Sequence, residues 1–373
     1  MKYTHCSAMV LHSSRCKMKV VKLLMFLPIA LSLYLLTRVI DIDSATEVKT
    51  TSLTSKHPRS RYIIYNCGGR FGLCGGWSDR IMGILMTYFI SLATNRKFGI
   101  EMTSPPCNLT SYIVPNMVDW YSSIDEVAQL GHKTSKGFHN QYNNRNLVFR
   151  AKSVDFDKWL RHDVTYFITN LDYVDSLKMN PRYMDGPLSW MNDMTRDQVV
   201  AKAYKELFQL SPSLNRKLTD FISKARPTSD YQLICAQIRV SELGHRSTTL
   251  NDVDLIWDFL RQYDDIMKYK VYVTSDSEYV RNKAKTLFPR QIIDNGGSVY
   301  HVGDNPNVLG CQGLEKVIYD QHALMTCDVL VLTYSGVGRL AAYIRGMSEG
   351  LYCMVDHRLI KCSPSELKTL YNV

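Results

Sequence analysis

A permanent positive charge stands at the end of an apolar strand pattern in residues 233–244, LICAQIRVSELG. This residue, Arg239, keeps its proton, and its planar guanidinium fits two phosphate oxygens at once. Ligands of parallel α/β sheets bind beyond the carboxyl ends of the strands, so the position predicts a phosphate site. A structural ion pair with Glu242 or Asp276 is the alternative interpretation.

Three strand patterns in the second half of the chain, YQLICAQIRV, YKVYVTSD and DVLVLTYS, are each followed by a helical pattern. This alternation predicts a doubly wound parallel sheet. Its strand ends carry Arg239, Ser275, Asp276, Tyr334 and Ser335. Ser335 and Gly336 lie in TYSGVGR, between a strand and a helix, where free backbone amides bind anions. Ordinary helix capping is the alternative for Ser275, Asp276 and Ser335.

Two polar residues, Asp320 and His322, interrupt the apolar helix pattern GLEKVIYDQHALMT. Side chains of these types read the edge of a base by hydrogen bonding, but they also occur as hydrogen-bonded polar groups in a protein core. Both interpretations stay open from the spacing alone.

The first half opens with the strand pattern RYIIYNC, a glycine-rich loop, a helix pattern and a second strand. This β–loop–α–β order predicts another parallel α/β lobe. In the loop, Gly75 and Gly76 allow the backbone to approach a ligand that lies between two lobes. Asp79 and Arg80 at the helix start either face that cleft or belong to a capped helix end.

The N-terminal composition predicts a membrane anchor. Of the 373 residues, 1–19 are basic without an acid, 20–40 are apolar except for Lys22 and Arg38, and 41–60 are a polar Ser/Thr-rich stem. The positive-inside rule places residues 1–19 in the cytosol and the chain after residue 41 in the lumen. The lumenal part is predicted to form two lobes, at 61–226 and 227–373. A cleaved signal peptide is the alternative. Because basic residues precede the apolar segment, the net charge of +10 favours a membrane over nucleic acid.

Cysteines and a sequon agree with a lumenal location. An even number of cysteines follows the anchor: Cys67, Cys74, Cys107, Cys235, Cys311, Cys327, Cys353 and Cys362. They predict disulfides, with Cys67 and Cys74 placed to close the glycine loop; buried thiols are the alternative. Asn108 begins the sequon Asn-Leu-Thr.

No metal site is predicted. The chain has no CxxC pair and no Cys/His cluster of the kind that binds zinc. D-x-D begins at Asp41, Asp155 and Asp252, but none of the three follows an apolar strand. Asp252 opens a helix pattern, where a carboxylate stabilises the helix dipole.

The second lobe resembles the fucosyltransferase clan, which includes α1,6-, α1,2- and protein-O-fucosyltransferases, and is closest to the α1,6 branch. The resemblance lies in AQIRVSELG, YVTSDSEYVRNKAKTLFP, KVIYDQHALMTCDVLVLTYS and GVGRLAAYIRG, within residues 231–346. The glycine loop and first helix are also similar to that clan, whereas residues 119–226 match nothing. Gln237-Ile238-Arg239 stands where most of the clan has His-x-Arg, and the adjacent second arginine is missing.

The resemblance implies a GT-B-type fold with two Rossmann-like lobes around a cleft, and GDP-fucose as donor. Arg239 would bind the β-phosphate, with Gln237 beside it, and Ser335 and Gly336 would hold phosphate oxygens. Asp320, before His322, would read guanine, and Asp276 would lie near the ribose or base. Glu242 is the first candidate for a general base and His245 the second.

These observations predict a Golgi type II membrane protein, a metal-independent enzyme that transfers fucose with inversion to a glycan or glycoprotein hydroxyl, with α1,6- or α1,2-type linkage. No cofactor and no nucleic acid partner are expected. Two alternatives are a transferase for another nucleotide sugar and a catalytically silent lumenal protein that binds glycans.

Overall fold

The structure, a computed structural model, describes residues 60–68, 74–131, 134–142, 144–240, 248–299, 302 and 310–371. The predicted cytosolic tail and anchor lie outside these residues. No helix in the described part of the chain combines the length and hydrophobicity required to cross a bilayer. Residues 57–373 form one compact unit.

The first lobe is built on a four-stranded parallel sheet of order β2-β1-β5-β4. Its strands are β1 (Tyr62–Cys67), β2 (Lys97–Met102), β4 (Lys136–Asn140) and β5 (Val164–Ile168). YIIYNC is almost entirely buried, as expected for a central parallel strand that is covered on both faces. The helix α1 (Trp77–Ala93) connects β1 to β2, so the predicted β–loop–α–β opening is confirmed.

The second lobe is built on a six-stranded sheet of order β12-β11-β10-β7-β8-β9, parallel except for the β11–β12 hairpin. Its elements are β7 (Gln232–Ile238), α9 (Leu250–Leu260), β8 (Tyr269–Ser275), α10 (Glu278–Leu287), β9 (Ile292–Ile293), α11 (Gly310–Leu324), β10 (Val329–Leu332), α12 (Gly336–Arg345), β11 (Leu351–Val355) and β12 (Arg358–Lys361). Helices α9 and α10 cover one face, and α11 and α12 cover the other. The predicted doubly wound sheet is confirmed.

Strand order reverses between β7 and β10. The chain runs from β7 to β8 and β9 on one side, then crosses to β10 and β11 on the other. The connections that leave β7 and β10 therefore diverge toward opposite faces, and this switch point opens a crevice at the carboxyl edge of the sheet. Arg239 follows β7 directly.

The middle of the chain, for which the sequence gives no match, completes the first lobe with β4, β5 and short helices. These are α2 (Ser122–Gln129), α3 (Arg145–Arg150), α4 (Phe156–Trp159), α5 (Val174–Lys178), α6 (Pro181–Met184) and α7 (Arg196–Leu207). A small antiparallel pair, β3 (Ile113–Pro115) and β6 (Phe208–Leu210), precedes the predicted helix α8 (Pro212–Ala225), and α13 (Leu367–Leu370) lies near the end of the chain.

The two lobes share one hydrophobic core. Helix α1 is buried on almost its whole circumference, because β1 lies on one side and α7, α11 and α12 lie on the other. Its apolar sequence matches this environment, since a helix covered on all sides needs no polar face. The Trp77 indole N–H also donates to Gln321 Oε1 across the lobes at 2.6 Å.

All eight cysteines that follow the predicted anchor are paired, which confirms the disulfide interpretation. The pairs are Cys67–Cys74, Cys107–Cys311, Cys235–Cys327 and Cys353–Cys362. The pair Cys67–Cys74 closes the glycine loop, and Cys235–Cys327 joins β7 to the turn after α11. Cys107–Cys311 joins the loop after β2 to the start of α11 and so links the lobes covalently.

We predict that the interlobe disulfide stabilises the fold more than the hairpin disulfide. Its closed loop spans 204 residues, against 9 for Cys353–Cys362, and loop entropy gives about 5 and about 2.5 kcal/mol respectively. Urea unfolding of Cys107→Ala/Cys311→Ala and of Cys353→Ala/Cys362→Ala measures both losses. Equal losses, or a larger loss for the hairpin pair, would contradict this order.

Candidate functional site

The crevice at the switch point contains a pocket that we call the strand-end cavity. It is lined by Gln237, Arg239, Thr274, Ser275, Asp276, Val299, Lys316, Val317, Asp320, Ser335 and Val337. Five residues predicted to bind the donor are therefore brought together from three strand ends and helix α11. These five are Gln237, Arg239, Asp276, Asp320 and Ser335.

Arg239 lies at the mouth of β7 with its side chain about one-third exposed, at 32%. Its Nε is 3.8 Å from Asp276 Oδ2, an ion-pair distance that is too long for a direct hydrogen bond. The backbone N–H of Arg239 donates to Thr333 Oγ1 at 2.8 Å, which ties this strand end to the end of β10. The ion pair with Asp276 is thus a long contact within the cavity, and the Arg239 side chain remains partly exposed.

The structure shows which of Ser275, Asp276 and Ser277 caps helix α10 and which of them holds the chain beyond β7. Asp276 Oδ1 accepts the backbone N–H of Val240 at 2.9 Å and so fixes the chain beyond β7. The N-cap of α10 is Ser277, whose hydroxyl oxygen accepts the backbone N–H of Val280 at 3.4 Å. Ser275 Oγ accepts the N–H of Ser277 at 3.1 Å. Asp276 therefore positions the Arg239 segment and does not cap the helix.

Asp320 faces the same cavity and carries a dense set of donors. Its Oδ1 accepts from Tyr272 Oη at 2.7 Å, Asn295 Nδ2 at 2.6 Å and Lys316 Nζ at 2.5 Å. Among the described residues, Oδ2 accepts only from Lys316, at 2.6 Å. Burial and then this carboxylate raise the pKa of Tyr272 well above its usual value. One carboxylate oxygen thus retains more accepting capacity toward a ligand.

Sequence reasoning missed Lys316. It neutralises Asp320 from one helical turn away, and it lines the strand-end cavity itself. The signal was present as the spacing Lys-x-x-x-Asp in α11, which places both side chains on one face of a helix.

Gln237 and Ser335 form the wall beneath the start of α12. Gln237 is 6% exposed, and its Oε1 has no hydrogen-bond partner among the described residues. Ser335 is the residue before α12, but its hydroxyl makes no capping hydrogen bond. The capping interpretation is therefore not what this serine does. The Ser335 hydroxyl therefore keeps unused hydrogen-bonding capacity at the cavity. The Gln237 oxygen is buried against Gly338, which is unusual because buried polar groups are normally satisfied.

A second pocket, the interlobe cavity, lies on the other side of the α12 N-terminus and has a volume of about 370 Å³. Its first-lobe wall is Ser78, Asp79, Met82, Arg145, Asn170, Leu171, Asp172 and Arg196, and its second-lobe wall is Tyr334, Gly336, Arg339, Leu340 and Tyr343. Arg196 forms an ion pair with Asp172 and donates to Tyr343 Oη at 2.6 Å. The volume is in the range of small-ligand sites.

Gly75 and Gly76, at the end of the glycine loop, contact Asp79, which lines this cavity. Gly75 has φ +77° and lies so close to Asp79 that a Cβ would be 2.6 Å from its Oδ2. The N–H of Gly76 donates to Asp79 Oδ2 at 2.9 Å in a capping box. Asp79 therefore both caps α1 and lines the cavity.

Arg80 does not face the cleft, so of the two interpretations that the sequence left open, the structure favours a residue of the helix start. The side chain is completely buried below the loop, where Nε donates to the Gly75 carbonyl at 3.0 Å and Nη1 donates to the Ser104 carbonyl. Burial lowers the pKa of its guanidinium. Arg80 thus supports the glycine loop from beneath.

His322 is also separate from the donor-binding group, contrary to the prediction. It is 8% exposed and points toward α7, with Nε2 3.4 Å from Tyr204 Oη. Its Nδ1 lies 2.8 Å from the Ile318 carbonyl oxygen, which can only accept, so Nδ1 carries the proton. Because His322 is two positions beyond Asp320 on a helix, the two side chains project to different sides.

Other predicted positions have simple outcomes. Asn108 is exposed, and its Oδ1 accepts from the N–H and hydroxyl of Thr110 at the start of a 3₁₀ turn. Asp252 belongs to a capping box with Thr249, as its helix-opening position predicted. In the part of the chain that the structure describes, no cluster of three His, Cys, Asp or Glu side chains is placed to hold a metal. Glu242 and His245 lie outside the described residues.

Comparison with solved structures identifies the fold. A mutant of Arabidopsis thaliana FUT1 in complex with GDP superposes with a TM-score of 0.55 at 13% identity, covering 80% of this chain and 72% of that one. Fucosyltransferase NodZ from Bradyrhizobium gives 0.46 at 14% identity, over 81% and 98%. POFUT1 in complex with GDP gives 0.42 at 12% identity, over 77% and 96%.

The FUT1 likeness confirms the resemblance to fucosyltransferases at the level of the fold: an α/β architecture with parallel sheets. The other two scores are too low to add to this conclusion. No protein-family model matches the sequence, and neither does any curated protein.

We predict that His322 makes the fold less stable in mild acid. Burial lowers its pKa, so between the folded and unfolded pKa values the unfolded chain binds more protons. The free energy of unfolding contributed by His322 therefore falls as the pH drops below about 6.5, by at most about 1.4 kcal/mol per pH unit. The stability difference between the wild type and His322→Gln should shrink from pH 7.5 to pH 5.5 in urea titrations. A difference that is constant or grows would contradict a neutral buried histidine.

Proposed function

We propose that the protein is a fucosyltransferase that uses GDP-fucose and transfers fucose to a glycan hydroxyl. The observation that carries the proposal is the partly exposed Arg239 side chain in the switch-point crevice, beside the N-terminus of α12. A fixed cation and free helix amides are the groups that bind a diphosphate. The fold that FUT1 shares, in a structure that contains GDP, supports the same assignment.

In the proposed complex, the nucleoside lies at the strand-end cavity, whose volume of about 90 Å³ encloses only part of it. Val317 supplies an apolar contact, and Asp320, held in place by Tyr272 and Lys316, accepts hydrogen bonds from the Watson–Crick edge of guanine. Guanine presents N–H donors there, whereas the carboxylate offers only acceptors. Asp276 lies near the ribose. Gln237, Arg239 and the Ser335–Gly336 amides bind the phosphates.

The acceptor hydroxyl enters from the interlobe cavity, where Asp79 and Asp172 line the first-lobe wall. The acceptor oxygen attacks the anomeric carbon while the bond from that carbon to the β-phosphate oxygen breaks, so the configuration is inverted. Arg239 stabilises the charge that develops on the departing GDP. Glu242 takes the proton, as predicted from its position three residues after Arg239.

The cellular setting completes the proposal. A type II anchor at residues 20–40 would hold the catalytic unit in the Golgi lumen, with a GT-B arrangement and α1,6- or α1,2-type linkage. Four disulfides and an exposed sequon asparagine support an oxidising, glycosylating compartment.

The direct test is incubation of the full-length protein, in detergent, with GDP-fucose and a mixed glycan array, followed by linkage analysis. Arg239→Ala should reduce transfer by about 100-fold or more and weaken GDP binding by about tenfold, because a charged hydrogen bond to phosphate is lost. The matched control is Lys268→Ala, which removes a positive charge from an exposed ion pair with Asp265, away from the site.

Near-normal transfer by Arg239→Ala would refute the phosphate role. Absence of wild-type transfer with tight glycan binding would favour the silent protein, and transfer from another nucleotide sugar only would favour that alternative.

We further predict that transfer persists in EDTA, since Arg239 and helix amides supply the charge stabilisation that a metal ion otherwise provides. The rate with excess EDTA should stay within about twofold of the rate with added Mg²⁺ or Mn²⁺. Strict dependence on either ion would refute metal-independent transfer.

A further inference from the structure

The first turn of α12 separates the two cavities and faces both. Ser335 and Val337 line the strand-end cavity, and Tyr334, Gly336 and Arg339 line the interlobe cavity. A nucleotide sugar whose base lies in the first cavity and whose reacting carbon meets an acceptor in the second must pass this turn. Its diphosphate then lies at the helix N-terminus, with Arg239 on one side.

Arg339 stands on the opposite side of that turn. Its guanidinium carbon is 5.9 Å from the Tyr334 ring centroid, and a Cβ added to Gly336 would be 3.8 Å from its Nη2. The side chain therefore folds back from its own position toward the N-terminus of α12. A cation is unfavourable beside the positive end of a helix dipole unless an anion compensates it.

Arg339 forms no ion pair within the described residues. No carboxylate there compensates the positive charge of its guanidinium. The cavity's two acids are engaged elsewhere: Asp172 is paired with Arg196, and Asp79 accepts the Gly76 N–H. The Tyr334 ring gives only a cation–π contact at long range. Arg339 is thus held by neighbours that do not neutralise it.

Two further observations point to an anionic ligand at this turn. The N-terminus of α1 meets that of α12, since a Cβ on Gly336 would be 1.9 Å from Ser78 Oγ, so two positive dipole ends converge. Gln237 lies below the same turn and is only 6% exposed. Its side-chain oxygen has no hydrogen-bond partner among the described residues. Gln237 also lines the strand-end cavity, where its N–H₂ group can donate to a phosphate.

We propose that Arg339 is the second cation of the diphosphate site and binds the phosphoryl group farther from the nucleoside, from the acceptor side. Val240 follows Arg239, so the described end of β7 contributes a single guanidinium. Arg339 provides the other from α12. When the bond between the sugar and the β-phosphate breaks, its electron pair stays on the phosphate oxygen, and Arg339 stabilises the added negative charge without giving up a proton.

This inference rests on the proposed function for the identity of the ligand, and nucleotide binding separates the two. Calorimetry on the full-length protein compares GDP with GMP, which lacks the outer phosphoryl group. The wild type should bind GDP at least about tenfold more tightly than GMP. Arg339→Ala should weaken GDP binding by about tenfold or more, because one charged hydrogen bond to the outer phosphoryl group is lost. The same variant should leave GMP binding within about twofold of the wild-type value. Arg261→Ala, which breaks an exposed ion pair with Asp258 at the end of α9, should change neither.

The outcomes are distinct. Unchanged GDP binding with a raised KM for the acceptor would overturn the inference and assign Arg339 to the acceptor. Equal losses for GDP and GMP would overturn it in favour of a structural role for α12. If the alanine variant does not fold, Arg339→Gln keeps most of the side chain and carries the same expectations. A wild type that binds neither nucleotide refutes the proposed function itself, and the inference with it.

Discussion

The reversal of strand order between β7 and β10 is the constraint on which the site depends. Parallel neighbours usually send their connections to the same side, and no gap opens between them. Here β7 leads to α9 on one face and β10 leads to α12 on the other, so the edge between them is open to a ligand. Arg239 borders this opening because it is the first residue beyond β7. Thr333 keeps the two strand ends in contact by accepting the Arg239 N–H.

Covalent and packed connections hold the crevice in shape. Cys235–Cys327 joins β7 to the turn after α11, and this fixes the helix that presents Lys316 and Asp320 to the strand-end cavity. At its other end, α11 is joined to the first lobe by Cys107–Cys311. The first lobe then covers the start of α12 with α1, at a contact so close that only glycine fits at position 336. Both lobes are therefore needed to form the interlobe cavity, whereas residues of the second lobe line the strand-end cavity.

The acidic and basic side chains of the two cavities differ in how far their charges are neutralised. Each carboxylate that faces a cavity already has a donor: Asp276 the Val240 N–H, Asp320 a lysine and two neutral donors, Asp172 an arginine, and Asp79 the Gly76 N–H. At the α12 N-terminus, Arg339 has no ion pair within the described residues, and Arg239 contacts Asp276 at 3.8 Å. An excess of positive potential at a pair of helix N-termini favours a ligand that carries negative charge at its centre, as a nucleoside diphosphate sugar does.

The sequence by itself determined the local features. Strand periodicity placed Arg239 at a strand end, the alternation of patterns gave two parallel lobes, and the even cysteine number gave the disulfides, because each depends on neighbouring residues or on composition. Only the tertiary structure decided which polar residues come together at the two cavities. Arg80 and His322 have the residue types of a site, yet burial and helix rotation turn them into supports of the core. Arg339 and Lys316 face the cavities because α11 and α12 are oriented by contacts with the other lobe and the sheet. Those contacts join residues distant in sequence, which no local pattern encodes.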